Sequence, residues 1–343
     1  MTALRVIDAG TVSALRSQSL WHGIASAMGP DDGPVLSLCR PAEAYVSIGY
    51  HRRLEEIDLD ACRREGLAVL RRRIGGGPVL IDHDQLFFQI TMPVRRAPAG
   101  VDRLYATLLE PAAAALRSLG LDARVDGLND IAVGERKLSG TGAGQIGEAV
   151  TVVGNVIFAF DHERMARILA LPDDAMRAEV LRLMRRHVSS LRAEKLGDVT
   201  AVDAVAALRA AYAAALGAAP ADTLPSAAEQ AAIERWEQRL VEPQWLRGPA
   251  QPARPGRRVK VRSDVFVVRG ERAGIGVLAS VVGDTITRAV VRASDLNGTA
   301  GALERVLVGS RAERAELTRR LAPFGDAGEH VLHAMTPALE ERW

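Results

Sequence analysis

"RRRIGGGPVLIDHD", Arg71 to Asp84, sets three arginines against three consecutive glycines and then breaks into an apolar run. Three glycines in a row cost backbone entropy that a plain strand or helix has no reason to accept. A bare backbone beside that much positive charge suits a bound anion, because glycine lets main-chain N–H groups approach a phosphate closely. A Gly-rich surface turn with solvated arginines would give the same string, so the stretch alone leaves both readings open. A P-loop does not fit, since no GK[ST] ends the Gly75 run.

Working outward, "LAVLRRRI" reads as a strand entering the glycines and "LFFQITMPV" as the next one. "EAYVSIGYH" is β-branched and aromatic, which suits a short strand. "DLDACRREGL" reads as a short helix that Asp58 caps and Gly66 closes. From Asp102 to Leu119 the apolar residues Leu104, Leu108, Leu109, Ala113 and Leu116 recur at helical spacing, and Gly120 ends the pattern. Strands follow in "NDIAV", "RKLSGTG" and "AVTVVGNVIFAF". The pattern turns helical from about Asp161 to Leu216, and a further helix spans "SAAEQAAIERWEQRL". Four of the sixteen prolines lie between Pro243 and Pro255, which places a linker at 248–256 between domains 1–247 and 257–343. The tail reads as three strands, then a helix from about Thr299 to Leu307: a small α/β domain.

The second informative region is "NDIAVGERKLSGTG". A two-residue turn at Gly134-Glu135, glycine first as a type II′ turn prefers, sets a register. Val133 then faces Arg136, Ala132 faces Lys137, and Asp130 faces Ser139. Asp130, Lys137, Ser139 and Thr141 share one face, while Ile131 and Leu138 go to the core. A surface salt bridge would produce the same alternation. "GAGQIG", Gly142 to Gly147, matches the dinucleotide fingerprint GxGxxG, but valine-rich strand sequence follows where that motif needs a helix. A mobile glycine loop is expected there instead.

The bulk numbers set limits. The chain has 343 residues, 48% hydrophobic and 25% charged, with a net charge of +2. That length suits about two domains, and the near-neutral balance is unlike the basic footprint of a nucleic-acid binder. Cys39 and Cys62 alone supply neither a disulfide framework nor a cysteine zinc site. No apolar run nears the roughly 20 residues that span a bilayer, and the N-terminus lacks a signal-peptide core. A cytoplasmic chain without membrane partners is expected.

Taken together, the two regions resemble the lipoate–protein ligase A family, within the biotin/lipoate ligase superfamily. The carriers are Arg71, Arg72, Gly75, Gly76, Gly77, Val79 and Asp82, then Asn129, Asp130, Lys137, Leu138, Ser139, Gly140 and Gly154. The likeness extends over nearly the whole chain, with "EPQWLRG" near the end of the large domain and "VKVRSDVFV" in the tail. It implies an α+β, class II-synthetase-like fold: a mixed, mostly antiparallel sheet flanked by helices, with a small α/β accessory domain. It also implies ATP-dependent formation of lipoyl- or octanoyl-AMP and acyl transfer to a lysine of a lipoyl carrier domain. Such carriers are 2-oxoacid dehydrogenase E2 subunits or the glycine-cleavage H-protein.

By the same resemblance Lys137 is catalytic, bridging carboxylate and α-phosphate. Arg72, Gly75, Gly76, Gly77, Pro78, Val79, Leu80, Asn129, Asp130, Ser139 and Gly154 bind ATP or acyl-AMP. Asp130 helps place Mg²⁺ or the lysine. ATP, Mg²⁺ and lipoate enter as substrates, with no tightly bound prosthetic group, and the enzyme is a monomer. The chain departs from the family at Pro78, where alanine or threonine is usual, at Ile81 in place of histidine, and at Val152 and Val153 in place of a histidine pair. The segment "HDQLFFQ" is also altered. These departures bear on which acid is preferred. The rivals are an octanoyl- or lipoyltransferase that uses a cysteine thioester, a lipoyl-carrier binding protein without activity, and, least, a biotin ligase, whose arginine-rich pattern is missing.

Overall fold

The computed structural model describes residues 3–251, 256–293 and 298–340. Of the expected linker 248–256, residues 252–255 lie outside the described residues. Numbered along the chain, the first strands are β1 (Leu4–Val12), β2 (Val35–Pro41), β3 (Tyr45–Ile48), β4 (Ala68–Arg71), β5 (Val79–Ile81) and β6 (Gln85–Pro93). Then come β7 (Ala123–Asp126), β8 (Asp130–Val133), β9 (Arg136–Gly140), β10 (Gly142–Ile146), β11 (Ala149–Ile157) and β12 (Pro220–Asp222). The last are β13 (Arg257–Arg262), β14 (Val265–Arg272), β15 (Ile275–Val282) and β16 (Thr285–Arg292). The helices are α1 (Ala14–Ala27), α2 (Leu59–Arg64), α3 (Val101–Ser118), α4 (His162–Ile168), α5 (Asp174–His187) and α6 (Ala201–Leu216). They continue with α7 (Ala227–Leu240), α8 (Pro243–Arg247), α9 (Ala300–Leu307), α10 (Arg314–Leu321) and α11 (Gly325–Leu339).

Two compact units divide the chain: Met1–Leu169 with Ser189–Pro249, and Ala170–Val188 with Ala250–Trp343. The first is built on a six-stranded sheet of order β10-β11-β6-β2-β1-β12, parallel between β2, β1 and β12 and antiparallel elsewhere. Strand β6 shows why helices cover both faces. Leu86, Phe88, Ile90 and Met92 pack with Leu108 and Leu109 of α3 and Leu208 and Tyr212 of α6. Phe87, on the other face, joins Trp21 and Ile24 of α1. Alternation with a period of two sends successive side chains to opposite layers, so a strand buried on both sides reads as a nearly continuous apolar run. The polar residues that share the α1-facing side are paired: Ser37 donates to Gln89 at 2.6 Å, and Thr91 and Thr151 are 3.0 Å apart. Gly23 lets α1 meet α7 backbone to backbone, since a Cβ there would lie 2.4 Å from Ile233. Two three-stranded sheets, β4-β3-β5 and β7-β8-β9, carry the two sequence motifs.

Local signals place several boundaries. Asp58 accepts from the Ala61 N–H at 2.8 Å to cap α2, and Ser226 with Glu229 forms a capping box on α7. Elsewhere tertiary structure overrides the expectation. "GAGQIG" is not a mobile loop: Gly142–Ile146 pairs in full with β11, from Gly142 opposite Val153 to Ile146 opposite Ala149. The helical stretch from Asp161 to Leu216 is three helices, and α5, expected within 1–247, belongs to the second unit. Its Glu179 is buried, accepts from the Ser280 hydroxyl, and pairs with Arg288 at 2.9 Å. The tail has four antiparallel strands, β13-β14-β15-β16, rather than three, because Ser263-Asp264 turns the first run back on itself. α9 stands where the helix was expected, and α10 and α11 follow it. No helix among the described residues is long and apolar enough to cross a membrane.

His22 on α1 is fully buried, stacked on Trp21 with ring centroids 3.5 Å apart. Its Nε2 accepts the Arg73 N–H at 3.0 Å, so Nδ1 carries the proton and donates to the Gln18 carbonyl at 2.5 Å. Burial, aided by the charges of Arg73 and Arg72, pulls its pKa down to about 3. Between that value and the ordinary 6.5 the unfolded chain binds a proton that the folded one does not, so stability falls as pH drops below about 6.5. This residue contributes a slope of about 1.4 kcal/mol per pH unit. Denaturant midpoints measured from pH 7.5 to 5.0 should therefore decline more steeply for the native chain than for His22→Gln. Parallel curves would refute the assignment.

Candidate active site

β4 delivers Arg71 and Arg72 into the interior. Arg71 is fully buried and donates to the carbonyls of Gly49 (2.8 Å), Tyr50 (3.0 Å), Arg52 (2.7 Å), Leu246 (2.8 Å) and Arg247 (3.1 Å). It thereby ties the loop after β3 to the end of α8. Arg72, also buried, grips the glycine loop from beneath. Its Nη2 donates to the carbonyls of Gly75 (2.8 Å) and Gly77 (2.9 Å), and Nη1 to that of Ser47 (2.9 Å). Burial pulls its pKa down to about 10, which still leaves it charged near neutrality. Neither guanidinium has a carboxylate within ion-pair distance among the described residues.

With its carbonyls turned in toward Arg72, the loop has amides to spare. The N–H groups of Gly75, Gly76 and Gly77 have no hydrogen-bond acceptor among the described residues. Gly76 holds φ +99°, and a Cβ there would lie 2.5 Å from the Arg72 Nη2. Pro78 follows half-buried with no N–H to add. Val79 is 38% exposed, whereas Leu80 is buried and gives its N–H to the Met165 sulfur at 3.3 Å. Ile74 sits over β10, where a Cβ on Gly142 or Gly144 would come within 3.0 and 2.8 Å of its side chain. The glycines of the supposed dinucleotide motif are thus the bed of the arginine–glycine loop.

The lysine hairpin turns at Gly134, which alone of the turn pair takes positive φ (+55°). Val133 faces Arg136 and Ala132 faces Lys137, as expected. Leu138 is then an extra residue, a β-bulge, so Ile131 faces Ser139 and Asp130 faces Gly140 rather than Ser139. Asp130 and Lys137 keep a common face, with Nζ 2.8 Å from Oδ1. The carboxylate is buried at 1% exposure and the lysine side chain 20% exposed. Ser139 leaves that face, and its hydroxyl accepts the Asn155 N–H at 3.3 Å. Asn129 and Thr141 close the strand ends reciprocally: Asn129 Nδ2 donates to the Thr141 carbonyl at 2.8 Å, and Thr141 Oγ1 to the Asn129 carbonyl at 2.5 Å. A Cβ on Gly140 would lie 3.2 Å from the lysine Nζ, and Gly142, two residues on, lies against Ile74 and the Gly75 carbonyl. Strand β9 and its continuation therefore bring the two motifs together.

Three residues at this junction carry no motif. Tyr105 of α3 is buried and close enough to feel the charges of Arg72 and Asp130. Burial pushes its phenol up to about 12, so it stays protonated. Asn155 and Gln85 link the hairpin to β5, since Asn155 accepts from Gly140 N–H at 3.1 Å and donates to Gln85 at 2.6 Å. A lone asparagine in a valine-rich strand was the available signal. Gly154 serves packing, because a Cβ there would lie 2.2 Å from the Phe88 ring. Of the altered positions, Ile81 and Val153 lie with Ile74 on the α1 side, and Val152 points to the opposite core. The described residues contain no group of three His, Cys, Asp or Glu side chains suited to a metal, and Asp130 is already paired with Lys137. The donor set does not fit a resident metal ion. Cys39 and Cys62 are buried, and desolvation pushes their thiols up to about 12 and about 11.

The loop geometry separates neighbouring glycines. Gly75 has ordinary φ and open space beyond it, whereas Gly76 combines positive φ with contact on Arg72. Gly76→Ala should cost about 1–3 kcal/mol of stability in denaturant unfolding, and Gly75→Ala within about 1 kcal/mol. Equal losses would mean that Arg72 does not shape the loop.

The lipoyl protein ligase A/B catalytic domain family matches residues 17–213, more than half of the chain. Lipoate-protein ligase A subunit 1 of Thermoplasma acidophilum is 28% identical over 172 residues, which are 47% of this chain and 64% of that one, so the chain spans less than two thirds of this relative. Octanoyltransferase LipM of Symbiobacterium thermophilum is 27% identical over 241 residues, 63% of this chain and 87% of that one. Among solved structures, the bi-partite lipoate protein ligase of Thermoplasma acidophilum, studied with its E2 lipoyl domain, aligns with a TM-score of 0.67. It is 23% identical and covers 74% of this chain and 99% of its own, a likeness of fold. The glycine loop clamped by Arg72 and the hairpin that carries Lys137 both fall inside the matched segment, and the chain belongs to the lipoyl protein ligase A/B catalytic domain family.

Proposed function

We propose that the chain is a lipoate–protein ligase that uses ATP to activate lipoate or octanoate as an acyl-adenylate and passes the acyl group to a carrier lysine. The observation that carries this reading is the buried Arg72 guanidinium, which among the described residues has no carboxylate within ion-pair distance and lies beneath three amides that have no acceptor. Such a site holds positive potential and unused donors, and an anion satisfies both. Phosphate oxygens of ATP would take the amides of Gly75, Gly76 and Gly77, with Arg72 acting through the loop it shapes. A substrate carboxylate oxygen attacks the α-phosphorus, and the bond to pyrophosphate breaks. Lys137 rests against Gly140, two residues before the Gly142 that lies against the loop, and its ammonium would offset charge on both reacting anions. Asp130 fixes that ammonium in place. Mg²⁺ would arrive with ATP, held mainly by phosphate oxygens and water. The amine of the carrier lysine then attacks the acyl carbonyl, loses a proton, and AMP departs.

The named relatives include both ligases and an octanoyltransferase, so a thioester route is the second reading. It requires a reactive thiolate. Only Cys39 and Cys62 are available, and both are buried with raised thiol pKa values. The carrier we propose is a lipoyl domain of E2 type, as named for the Thermoplasma ligase, or an H-protein. We also propose that the enzyme acts as a monomer in the cytoplasm.

Incubation with MgATP and either acid should give acyl-AMP, detected by mass spectrometry. Acylation of a carrier from acyl-ACP without ATP, and no acyl-AMP, would establish the transferase reading instead. Lys137→Ala should lower acyl-AMP formation by at least about 100-fold, as loss of one transition-state donor does, and should lower the unfolding midpoint, since Asp130 is left buried without its cation; rates are therefore compared at a temperature where circular dichroism shows the variant folded. Lys137→Arg should restore little, because a planar fork does not replace a compact ammonium. In the double variant Cys39→Ala/Cys62→Ala the rate should stay within about threefold of native, since ligation needs no thiolate.

A further inference from the structure

Resting on the ligase reading, we infer that Asn155 is a positioning residue for Lys137, acting through a two-amide relay from the lysine hairpin to the exit of the glycine loop. The chemistry of the ends fixes the direction of the relay. The Gly140 N–H can only donate, so the Asn155 oxygen faces it at 3.1 Å. The Asn155 amide nitrogen then donates to Gln85 Oε1 at 2.6 Å. Gln85 Nε2 donates in turn to the Leu80 carbonyl at 3.1 Å, which can only accept, and lies 3.5 Å from Asp82 Oδ1. No flip of either amide keeps all three bonds.

Gly140 is where the relay meets the chemistry. It pairs with Asp130 across the hairpin, and the lysine ammonium rests against its Cα side. The backbone N–H of Asn155 also holds the Ser139 hydroxyl at 3.3 Å, just beyond the bulge at Leu138. A bulge leaves an unpaired residue and a weakened ladder, so this end of β9 needs a fastening from outside its own sheet. Asn155 supplies it from β11, and Gln85 carries it to β5, the strand that leaves the glycine loop. The distance between ammonium and loop amides is thereby set by side chains that touch neither anion.

The test uses the difference between an amide and a carboxyl. In Asn155→Asp the ionised side chain accepts from Gly140 but sets oxygen against oxygen at Gln85, whereas the protonated acid restores both bonds. The charged groups around the introduced carboxyl are Lys137 and Asp130 across Gly140 and Asp82 beyond Gln85. In the full chain with MgATP and lipoate, Asn155→Asp should lower kcat for acyl-AMP by about tenfold at pH 8, with KM little changed. It should return to within about threefold of native by pH 5.5, as a carboxyl protonates. Asn155→Ala should be slow at both pH values. Gln85→Ala added to Asn155→Ala should cost less than about twofold more, since the two act as one unit. A pH profile of Asn155→Asp parallel to native, or losses that multiply in the double variant, would overturn the relay. Absence of acyl-AMP with the native chain would instead overturn the ligase reading.

Discussion

The arrangement depends on a cation that is buried without a carboxylate at ion-pair distance among the described residues. Arg72 is held by carbonyl oxygens and the Ser47 hydroxyl alone, and its neighbour Arg71 by five carbonyls. Burying a charge is costly unless hydrogen bonds and a counter-charge compensate it. Here the first part of that compensation is internal, and in the function proposed above a bound phosphate would supply the second. Turning the carbonyls of Gly75 and Gly77 inward to satisfy Arg72 frees the loop amides to point elsewhere. One interaction thus shapes the loop, charges it, and opens its donors.

The lysine hairpin solves the complementary problem. In the proposed reaction the ammonium would serve two anions, which asks that it be fixed in place yet not fully enclosed. Asp130 is buried while Lys137 keeps partial exposure, so the carboxylate anchors an ammonium that is not fully enclosed. The bulge at Leu138 turns Ser139 into the hydrogen-bond network of β11 and leaves Gly140 as a smooth rest for the lysine. Small residues do the joining: Gly140 gives room to Lys137, and Gly142 and Gly144 give room to Ile74 at the start of the glycine loop.

Similarity to both ligases and an octanoyltransferase is what one fold with exchangeable chemistry looks like. The two chemistries differ physically in what must be activated. A transferase needs a thiol that ionises near neutrality; a ligase needs a cation between two anions. Cys39 lies on a strand within the core and Cys62 on a short helix, both dry, and each thiol is pushed away from ionisation. Lys137 and the loop amides are the groups that the proposed ligase chemistry would use.

By itself the sequence determined the two motifs, their order, and most elements around them. Asp58, Gly120 and the capping box at Ser226 mark ends by local hydrogen bonding, and period-two or helical spacing marks the interiors. Lys137 and Asp130 were legible as one face because alternation along β8 sets Asp130 beside Ala132, which Lys137 faces before the bulge. What tertiary structure alone decided is everything set by contact across distance in the chain. Arg72 shapes the loop from inside, Gly154 makes room for Phe88, Gly142 and Gly144 form a bed rather than a nucleotide motif, and α5 joins the second unit through Glu179. The roles of Tyr105, Gln85 and Asn155 were hidden for the same reason, although a lone asparagine among valines marked the last. A buried polar group has meaning only through its partner, and its partner is chosen by the fold.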